Sequence, residues 1–163
     1  MYTEHEIALD EHLSWIKSLE SDRKQIVFVV LVDEKISGVV SVNAIDTLHK
    51  KSDWAFYLDE NVRGGLGAAL EFRLLNFVFD DLMLEKLNCE VIETNKSVVK
   101  MHTKFGFVEE GLRRSNVEKN GSRIGVVFLG ITKDEWLLKR DNVFEKYKSV
   151  IEKFSLSVEF DDG

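Results

Sequence analysis

The segment from residue 52 to residue 107 constrains the fold of this chain more than any other. It reads as a strand, a glycine-rich turn, an amphipathic helix, a second strand, and a short helix that stops at Gly106-Phe107. Glycines in the turn let the backbone approach a ligand closely, and the first N–H groups of a helix point at an anion. The segment therefore predicts a β-α-β unit with an anion site where its first helix begins, at Arg63 to Ala68.

Composition and charge indicate a single soluble domain over residues 1–163, in which residues 155–163 form a loose tail or one added strand. The chain is 44% hydrophobic and 31% charged, which is typical of a globular protein with a sizeable core. Its net charge of −7 argues against nucleic acid and against an anionic membrane surface as partners.

Other features of the sequence favour a cytoplasmic protein. No apolar run approaches the roughly 20 residues that span a bilayer, and the polar N-terminus does not read as a signal peptide. The single Cys89 cannot form an internal disulfide, which suits a reducing compartment. His5, His12 and His49 are scattered without ligand spacing, so no metal site is expected.

Hydrophobic periodicity predicts a mixed α/β architecture. Asn120-Gly121 is a strong signal for a two-residue hairpin turn. Strands in a meander followed by a β-α-β unit indicate a mixed sheet with helices on both faces. The predicted strands cover residues 25–32, 36–45, 54–58, 86–92, 107–118 and 122–131, and the predicted helices cover residues 10–19, 66–78, 96–104 and 134–154.

The order and spacing of these pieces resemble the GCN5-related N-acetyltransferase (GNAT) superfamily. Gly65-Leu66-Gly67 fits the family's Gln/Arg-x-x-Gly-x-Gly/Ala motif, although Val62 stands where Gln or Arg is usual and Arg63 comes one place late. Asn95, followed eleven residues later by Gly106-Phe107, fits the second motif. The resemblance covers roughly residues 5–140.

The resemblance implies the GNAT fold, with a mostly antiparallel sheet, a splayed parallel pair of strands and helices on both faces. It also implies acetyl-CoA as cosubstrate, with its pyrophosphate on the glycine-rich turn and its pantetheine between the splayed strands. Measured against the family, the chain reads as lacking the N-terminal strand. The residues that the resemblance assigns to acetyl-CoA are Tyr57, Leu58, Arg63, Gly64, Gly65, Leu66, Gly67, Ala68, Asn95 and His102.

A narrower resemblance is carried by the pieces EHLSWIKSL, WAFYLDENVRGGLG, LNCEVIETN and MHTKFGFVEEG. They are similar to the aminosugar N-acetyltransferases of the pseudaminic acid pathway, which implies a UDP-linked 4-amino-4,6-dideoxy sugar as acceptor. Two alternatives stay open: acetylation of ribosomal protein N-termini, and a non-catalytic acetyl-CoA-binding module. A strand supplied by a second copy would make the protein a homodimer.

Direct acetyl transfer needs a base for the amine and an acid for the leaving thiolate. The family's usual acid is a Tyr seven residues after the motif Asn, and in this chain that position is His102. Glu90, in the middle of the strand before Asn95, is the candidate base through a water molecule, with Glu93 as second choice. The alternatives are a plain helix residue for His102, a salt bridge for Glu90 and a helix N-cap for Asn95.

Three further expectations concern side chains near these motifs. Cys89 is expected to be a small buried hydrophobe rather than a nucleophile. Of Phe56 and Tyr57, one is expected in the core and the other along the cleft. Contact with a UDP diphosphate or a solvated hairpin face is expected for Arg113, Arg114 and Arg123.

Overall fold

The computed structural model describes residues 24–59 and 65–158, together with the backbone of residues 13–15. Seven strands in this described part of the chain form one sheet in the order β1-β2-β3-β4-β5-β7-β6. Each neighbouring pair is antiparallel except β4 and β5, which are parallel. The mixed sheet with one parallel pair is therefore confirmed. The strands are β1 Leu13–Trp15, β2 Ile26–Val32, β3 Lys35–Asp46, β4 Lys51–Leu58, β5 Lys86–Ile92, β6 Val108–Lys119 and β7 Ser122–Thr132.

Two hairpins of the sheet turn on residues with left-handed backbone. Asp33 and Glu34 connect β2 to β3 with φ of 52° and 68°, and Asn120 and Gly121 connect β6 to β7 with φ of 52° and 81°. Positive φ at both central positions matches the right-handed twist of the strands. The Asn-Gly signal therefore fixes the β6–β7 hairpin as expected.

The described residues form four α-helices, as their apolar spacing and end signals indicate: α1 Leu66–Asn76, α2 Lys96–Phe105, α3 Lys133–Lys146 and α4 Lys148–Lys153. A π-helical turn, Phe77–Asp81, extends α1. Gly106 ends α2 in the left-handed conformation, with φ of 111°. No helix among the described residues is long and apolar enough to cross a bilayer.

The described helices pack together on one face of the sheet. The Trp136 ring of α3 contacts Phe72 of α1, and Tyr147 stacks on Phe105 of α2. The other face is open along β3 and β4 within the described residues: paired Val39 and Tyr57 are 38% and 71% exposed. The helix-covered face carries the core, which includes Phe28, Val40, Val42, Trp54, Leu87, Leu129 and Ile131.

Two predicted helices need correction. In the segment expected to be helical over residues 10–19, Leu13–Trp15 forms a strand paired with Phe28–Val30 of β2. Backbone pairing at the edge of β2 prevails there over the helical spacing of apolar residues. The helix expected over 134–154 is broken at Tyr147, whose φ of −109° and ψ of 18° change the chain direction between α3 and α4. In the predicted tail, Leu156 forms an isolated bridge, and residues 159–163 lie outside the described residues.

Candidate active site

A gap opens in the sheet where the two parallel strands separate. β4 and β5 pair only at Lys51↔Lys86, Ser52↔Leu87 and Asp53↔Asn88. Beyond those pairs the strands enclose a cavity of about 350 Å³, which we call the cleft. The cleft is lined by residues 54–58 of β4, residues 89–92 of β5, Asn95, and Val98 and His102 of α2. The splayed pair of parallel strands that the family resemblance implies is therefore present.

The glycine-rich turn lies beside the cleft. Gly65 has a φ of 82°, and its carbonyl accepts hydrogen bonds from the Ala68 and Ala69 N–H groups at 3.1 and 3.2 Å. The preceding N–H groups, of Leu66 and Gly67, begin α1 and have no partner within the helix. A Cβ on Gly67 would lie 3.7 Å from Leu58, a residue that lines the cleft. This geometry suits the pyrophosphate of acetyl-CoA; Arg63 and Gly64 lie outside the described residues.

Gly65 and Gly67 differ in what surrounds them. A Cβ on Gly65 would collide with Val150 of α4, so this glycine is required by packing and by its left-handed backbone. A Cβ on Gly67 would meet Leu58 and Met101 only at ordinary contact distances of 3.7–3.9 Å. Gly67 is consequently the position at which the anion site can be altered with less damage to the fold.

His102 lies on the cleft side of α2 and is 2% exposed. Its Nδ1 is 2.9 Å from each carboxylate oxygen of Glu71, which is 1% exposed on α1. Rings of Trp54, Phe56 and Phe107 surround the imidazole, with centroids 5.3–6.1 Å away. The predicted acid is thus held by a buried carboxylate within an aromatic cage.

Glu71 was not predicted as a site residue. The signal was available, because Glu71 follows Leu70 and precedes Leu74 by three positions, which places a carboxylate on the apolar stripe of α1. Burial raises the pKa of the Glu71 carboxyl, while the hydrogen bond and the charge of His102 act in the opposite direction. The partner could not be read from the sequence because it lies 31 residues away.

Glu90 lies on β5 just beyond the last pair with β4, and its side chain is exposed. It lines the cleft and also a second cavity of about 330 Å³ on the open face of the sheet. We call this second cavity the open-face cavity; it is also lined by Lys51, Asp53, Lys86, Asn88, Cys89, Glu110, Phe128 and Leu129. Glu90 therefore lines both cavities.

The remaining predicted residues take different places. Asn95 occupies the N-cap position of α2 but makes no capping bond; its side-chain oxygen accepts from Ser97 Oγ at 3.3 Å. The Glu93 carboxylate accepts a hydrogen bond from the Gly125 N–H of β7 at 2.8 Å. The second-choice base therefore has a structural contact with β7. Phe56 stacks on Trp54 on the core side and Tyr57 is exposed on the open face, so the two side chains alternate as expected, but both residues line the cleft. Leu58 is half-buried in the cleft lining, and Leu66 and Ala68 are buried.

Cys89 and the three arginines complete the site. Burial, followed by the charge of Glu71, raises the pKa of the Cys89 thiol well above its usual range, as expected for a structural cysteine.

Arg113 lies 5.2 Å above the ring of Phe128, which lines the open-face cavity. Arg123 donates to the Ser115 carbonyl at 3.0 Å, and Arg114 is exposed. Among the described residues no three potential ligands come together to hold a metal ion.

Comparison with known proteins agrees with this arrangement. The family model described as an acetyltransferase (GNAT) domain matches residues 2–127. The chain is 29% identical over 101 residues to the acetyltransferase PseH of Campylobacter jejuni. That alignment covers 62% of each protein. It is 26% identical to YdaF of Bacillus subtilis, a candidate ribosomal N-acetyltransferase, over 66% of this chain and 59% of YdaF. The chain thus matches less than two thirds of the length of either relative.

Solved structures show the same fold. The spermidine N-acetyltransferase of Vibrio cholerae, in complex with CoA and spermine, superposes with a TM-score of 0.69. That alignment covers 74% of this chain and 72% of the other, at 24% sequence identity. Together with the family model, which spans most of the chain, the splayed strands and the glycine-rich helix start lead to one conclusion: the chain belongs to the GNAT acetyltransferase family.

Proposed function

We propose that this protein transfers the acetyl group of acetyl-CoA directly to an amine. The observation that carries the proposal is the cleft between β4 and β5, with a glycine-rich helix start beside it and His102 and Glu90 along it. Bound acetyl-CoA supplies a thioester whose carbonyl carbon the amine attacks. The cleft and the open-face cavity share Cys89 and Glu90 in their linings, so the two substrates can approach Glu90 from different cavities.

Each residue then has a stated role. The N–H groups at the start of α1, with the turn at Arg63 to Ala68, hold the pyrophosphate, since a helix N-terminus attracts an anion. Tyr57, Leu58 and Asn95 line the path of the pantetheine arm. Glu90 removes the proton of the amine through a water molecule, and His102 donates a proton to the leaving sulfur.

The acceptor that we propose is the 4-amino group of a UDP-linked 4-amino-4,6-dideoxy sugar. The likeness to PseH supports this choice, as do the motif pieces on both sides of the cleft. The open-face cavity offers Phe128 as an apolar surface, with the Arg113 guanidinium above it. A guanidinium near a cavity suits a diphosphate, which it can bind through two parallel hydrogen bonds.

A second candidate acceptor is a small polyamine or a protein N-terminus. Three carboxylates line the open-face cavity, on Asp53, Glu90 and Glu110, and they favour a cationic amine. Lys86 neutralises one of them through an ion pair with Glu110 at 3.0 Å. The likeness to YdaF and to the Vibrio cholerae spermidine enzyme supports these classes of acceptor.

The deciding experiment measures CoA release from acetyl-CoA with three acceptor sets: UDP-4-amino sugars, spermidine and spermine, and alanine-starting ribosomal peptides. We expect release with a UDP-amino sugar, and mass spectrometry should find one added acetyl on that sugar. Release only with polyamines or only with peptides would replace the sugar with that acceptor. Acetyl-CoA binding without release for any amine would favour a binding module.

The Glu90→Gln variant tests the base. Without the carboxylate the amine must lose its proton unaided, so the acid limb of the pH–rate profile should move to higher pH. Glu118→Gln, on the exposed β6 strand, is the matched control and should keep the wild-type profile. An unchanged profile for Glu90→Gln would remove Glu90 from the reaction.

A further inference from the structure

Glu71 of α1 and His102 of α2 form a buried hydrogen-bonded pair beside the cleft. Both side chains are almost fully buried, and both carboxylate oxygens of Glu71 lie 2.9 Å from the same ring nitrogen, Nδ1. Replacing such a pair by apolar residues of similar volume is often neutral or stabilising, so packing alone gives no reason for it. The pair instead leaves Nε2 as the remaining polar atom of a ring that lines the cleft.

The net charge of the buried Glu71–His102 pair indicates which of its atoms carry protons. A lone buried charge is costly, so burial favours the states in which Glu71 and His102 together are neutral. One such state is a carboxylate beside an imidazolium, and the other is a carboxylic acid that donates to Nδ1 of a neutral ring. In both states Nε2 carries a proton. Burial of Glu71, which raises its pKa, acts in the same direction.

Two titratable groups near the pair add no charge to it, and the Glu90 carboxylate, which also lines the cleft, is exposed to solvent. Burial, and after it the charge of Glu71, raises the pKa of the Cys89 thiol on β5 and of the Tyr147 phenol between α3 and α4. Both groups therefore stay neutral near physiological pH. The rings of Trp54, Phe56 and Phe107 around His102 carry no charge.

We infer that Glu71 is a positioning residue that fixes the His102 ring through Nδ1 and keeps a proton on Nε2, on the cleft side. The inference deepens the proposed function and rests on it for the use of that proton. When Nε2 gives its proton to the departing sulfur, the pair is left with a carboxylate and a neutral ring protonated on Nδ1. A proton from solvent then restores the starting state.

The first test needs no acceptor. In protein labelled with isotopic nitrogen in histidine, long-range proton–nitrogen NMR spectra report which ring nitrogens carry protons. The chain has four histidines, and a His102→Gln variant assigns the relevant signals. We expect Nε2 of His102 to carry a proton at neutral pH, because Nδ1 faces the Glu71 carboxyl group. A ring with its proton on Nδ1 only at neutral pH would overturn the inference.

The second test uses turnover, once an acceptor is known. Glu71→Gln keeps the shape and a hydrogen bond to the ring but cannot supply the proton, so the alkaline limb of the pH–rate profile should shift to lower pH. Glu71→Asp should recover part of the loss. Asn76→Leu, on the same helix, removes the bonds to Trp136 and Arg140 and serves as the control for lost stability.

The two hypotheses fail in different ways. If Glu71 acts through His102, the double variant Glu71→Gln/His102→Gln loses no more activity than His102→Gln alone. Additive losses with an unchanged pH profile would make Glu71 a structural residue only. Full activity of His102→Gln would overturn the acid in the proposed function, while the NMR result would still decide whether Glu71 sets the proton on Nε2.

Discussion

His102 is almost fully buried, yet it lines the cleft where a substrate would bind. A ring in this position is held in one orientation by Glu71 and by three aromatic neighbours. A fixed orientation lowers the cost of placing a proton donor at the reacting atom. The residue type differs from the family's usual tyrosine, but the position is the same.

Replacing His102 by Gln tests its chemistry while sparing the fold. The Gln amide can still donate to Glu71 but cannot act as an acid, so kcat should fall by roughly 10²–10⁴-fold. Affinity for acetyl-CoA, measured by isothermal titration, should stay near the wild-type value. The exposed His49→Gln is the control. Wild-type turnover of His102→Gln would assign proton donation to water or another group.

Cys89 makes the stability of the protein depend on alkaline pH. Burial raises the pKa of its thiol, so above the ordinary thiol range the unfolded chain loses a proton that the folded chain keeps. Stability from this group is complete below about pH 8.5 and falls by about 1.4 kcal/mol for each further pH unit. Urea unfolding near neutral pH and near pH 9.5 should show this loss, and Cys89→Ala should reduce it. An equal loss in the variant would assign the effect to other groups.

At the scale of single elements, α3 is the helix whose start is best defined by side chains. Thr132 Oγ1 accepts from the Glu135 N–H at 3.1 Å, and Glu135 accepts from the Thr132 N–H at 2.9 Å. This reciprocal capping box satisfies backbone donors at the helix start. It fixes the first turn of α3, which carries Trp136, a fully buried residue that packs against Phe72 of α1.

Thr132→Ala should remove the cap and cost about 1 kcal/mol. Thermal unfolding should then show a melting temperature lower by roughly 2–4 °C, the shift typical of a chain this long. Thr103→Ala is the matched control, because its hydroxyl only donates to the Val99 carbonyl within α2 on an exposed surface. Equal losses in both variants would deny the capping box a special role.

Elements whose signals are local were predictable from the sequence. The strand of residues 25–32 has a continuous apolar run, and the β6–β7 hairpin has Asn-Gly at its turn. Elements set by distant contacts were not. β1 owes its conformation to pairing with β2, and the break at Tyr147 accompanies stacking on Phe105. Glu71 likewise acquired its role only when the fold brought α1 against α2.

At the scale of the whole molecule, the proposed acetyl-CoA site joins strands β4 and β5 on either side of the cleft with helices α1 and α2. Any ligand that binds only the folded state stabilises it, by about 2.7 kcal/mol at one hundred times its dissociation constant. For a domain of this size the melting temperature should rise by roughly 5–10 °C. The size of the shift therefore reports how well the cleft and the helix start hold the ligand.

Gly67→Glu should abolish that thermal shift, because it adds a side chain and a negative charge at the anion site. Gly111→Glu adds the same charge on the exposed β6 strand, where a Cβ would meet no atom within 4 Å, and should keep the shift. Differential scanning fluorimetry with CoA and acetyl-CoA measures both. An unchanged shift in a folded Gly67→Glu variant would place the ligand elsewhere.

The short pairing between β4 and β5 divides the sheet into two halves of continuous chain. Strands β2 to β4 pair over seven positions at each contact, and β5 pairs with β7 over seven, whereas only three positions join the halves. Amide hydrogens along this seam have fewer interstrand partners to slow their exchange with deuterated solvent. We therefore expect amide exchange to be faster along this seam than within either half, and a ligand that occupies the seam should slow it.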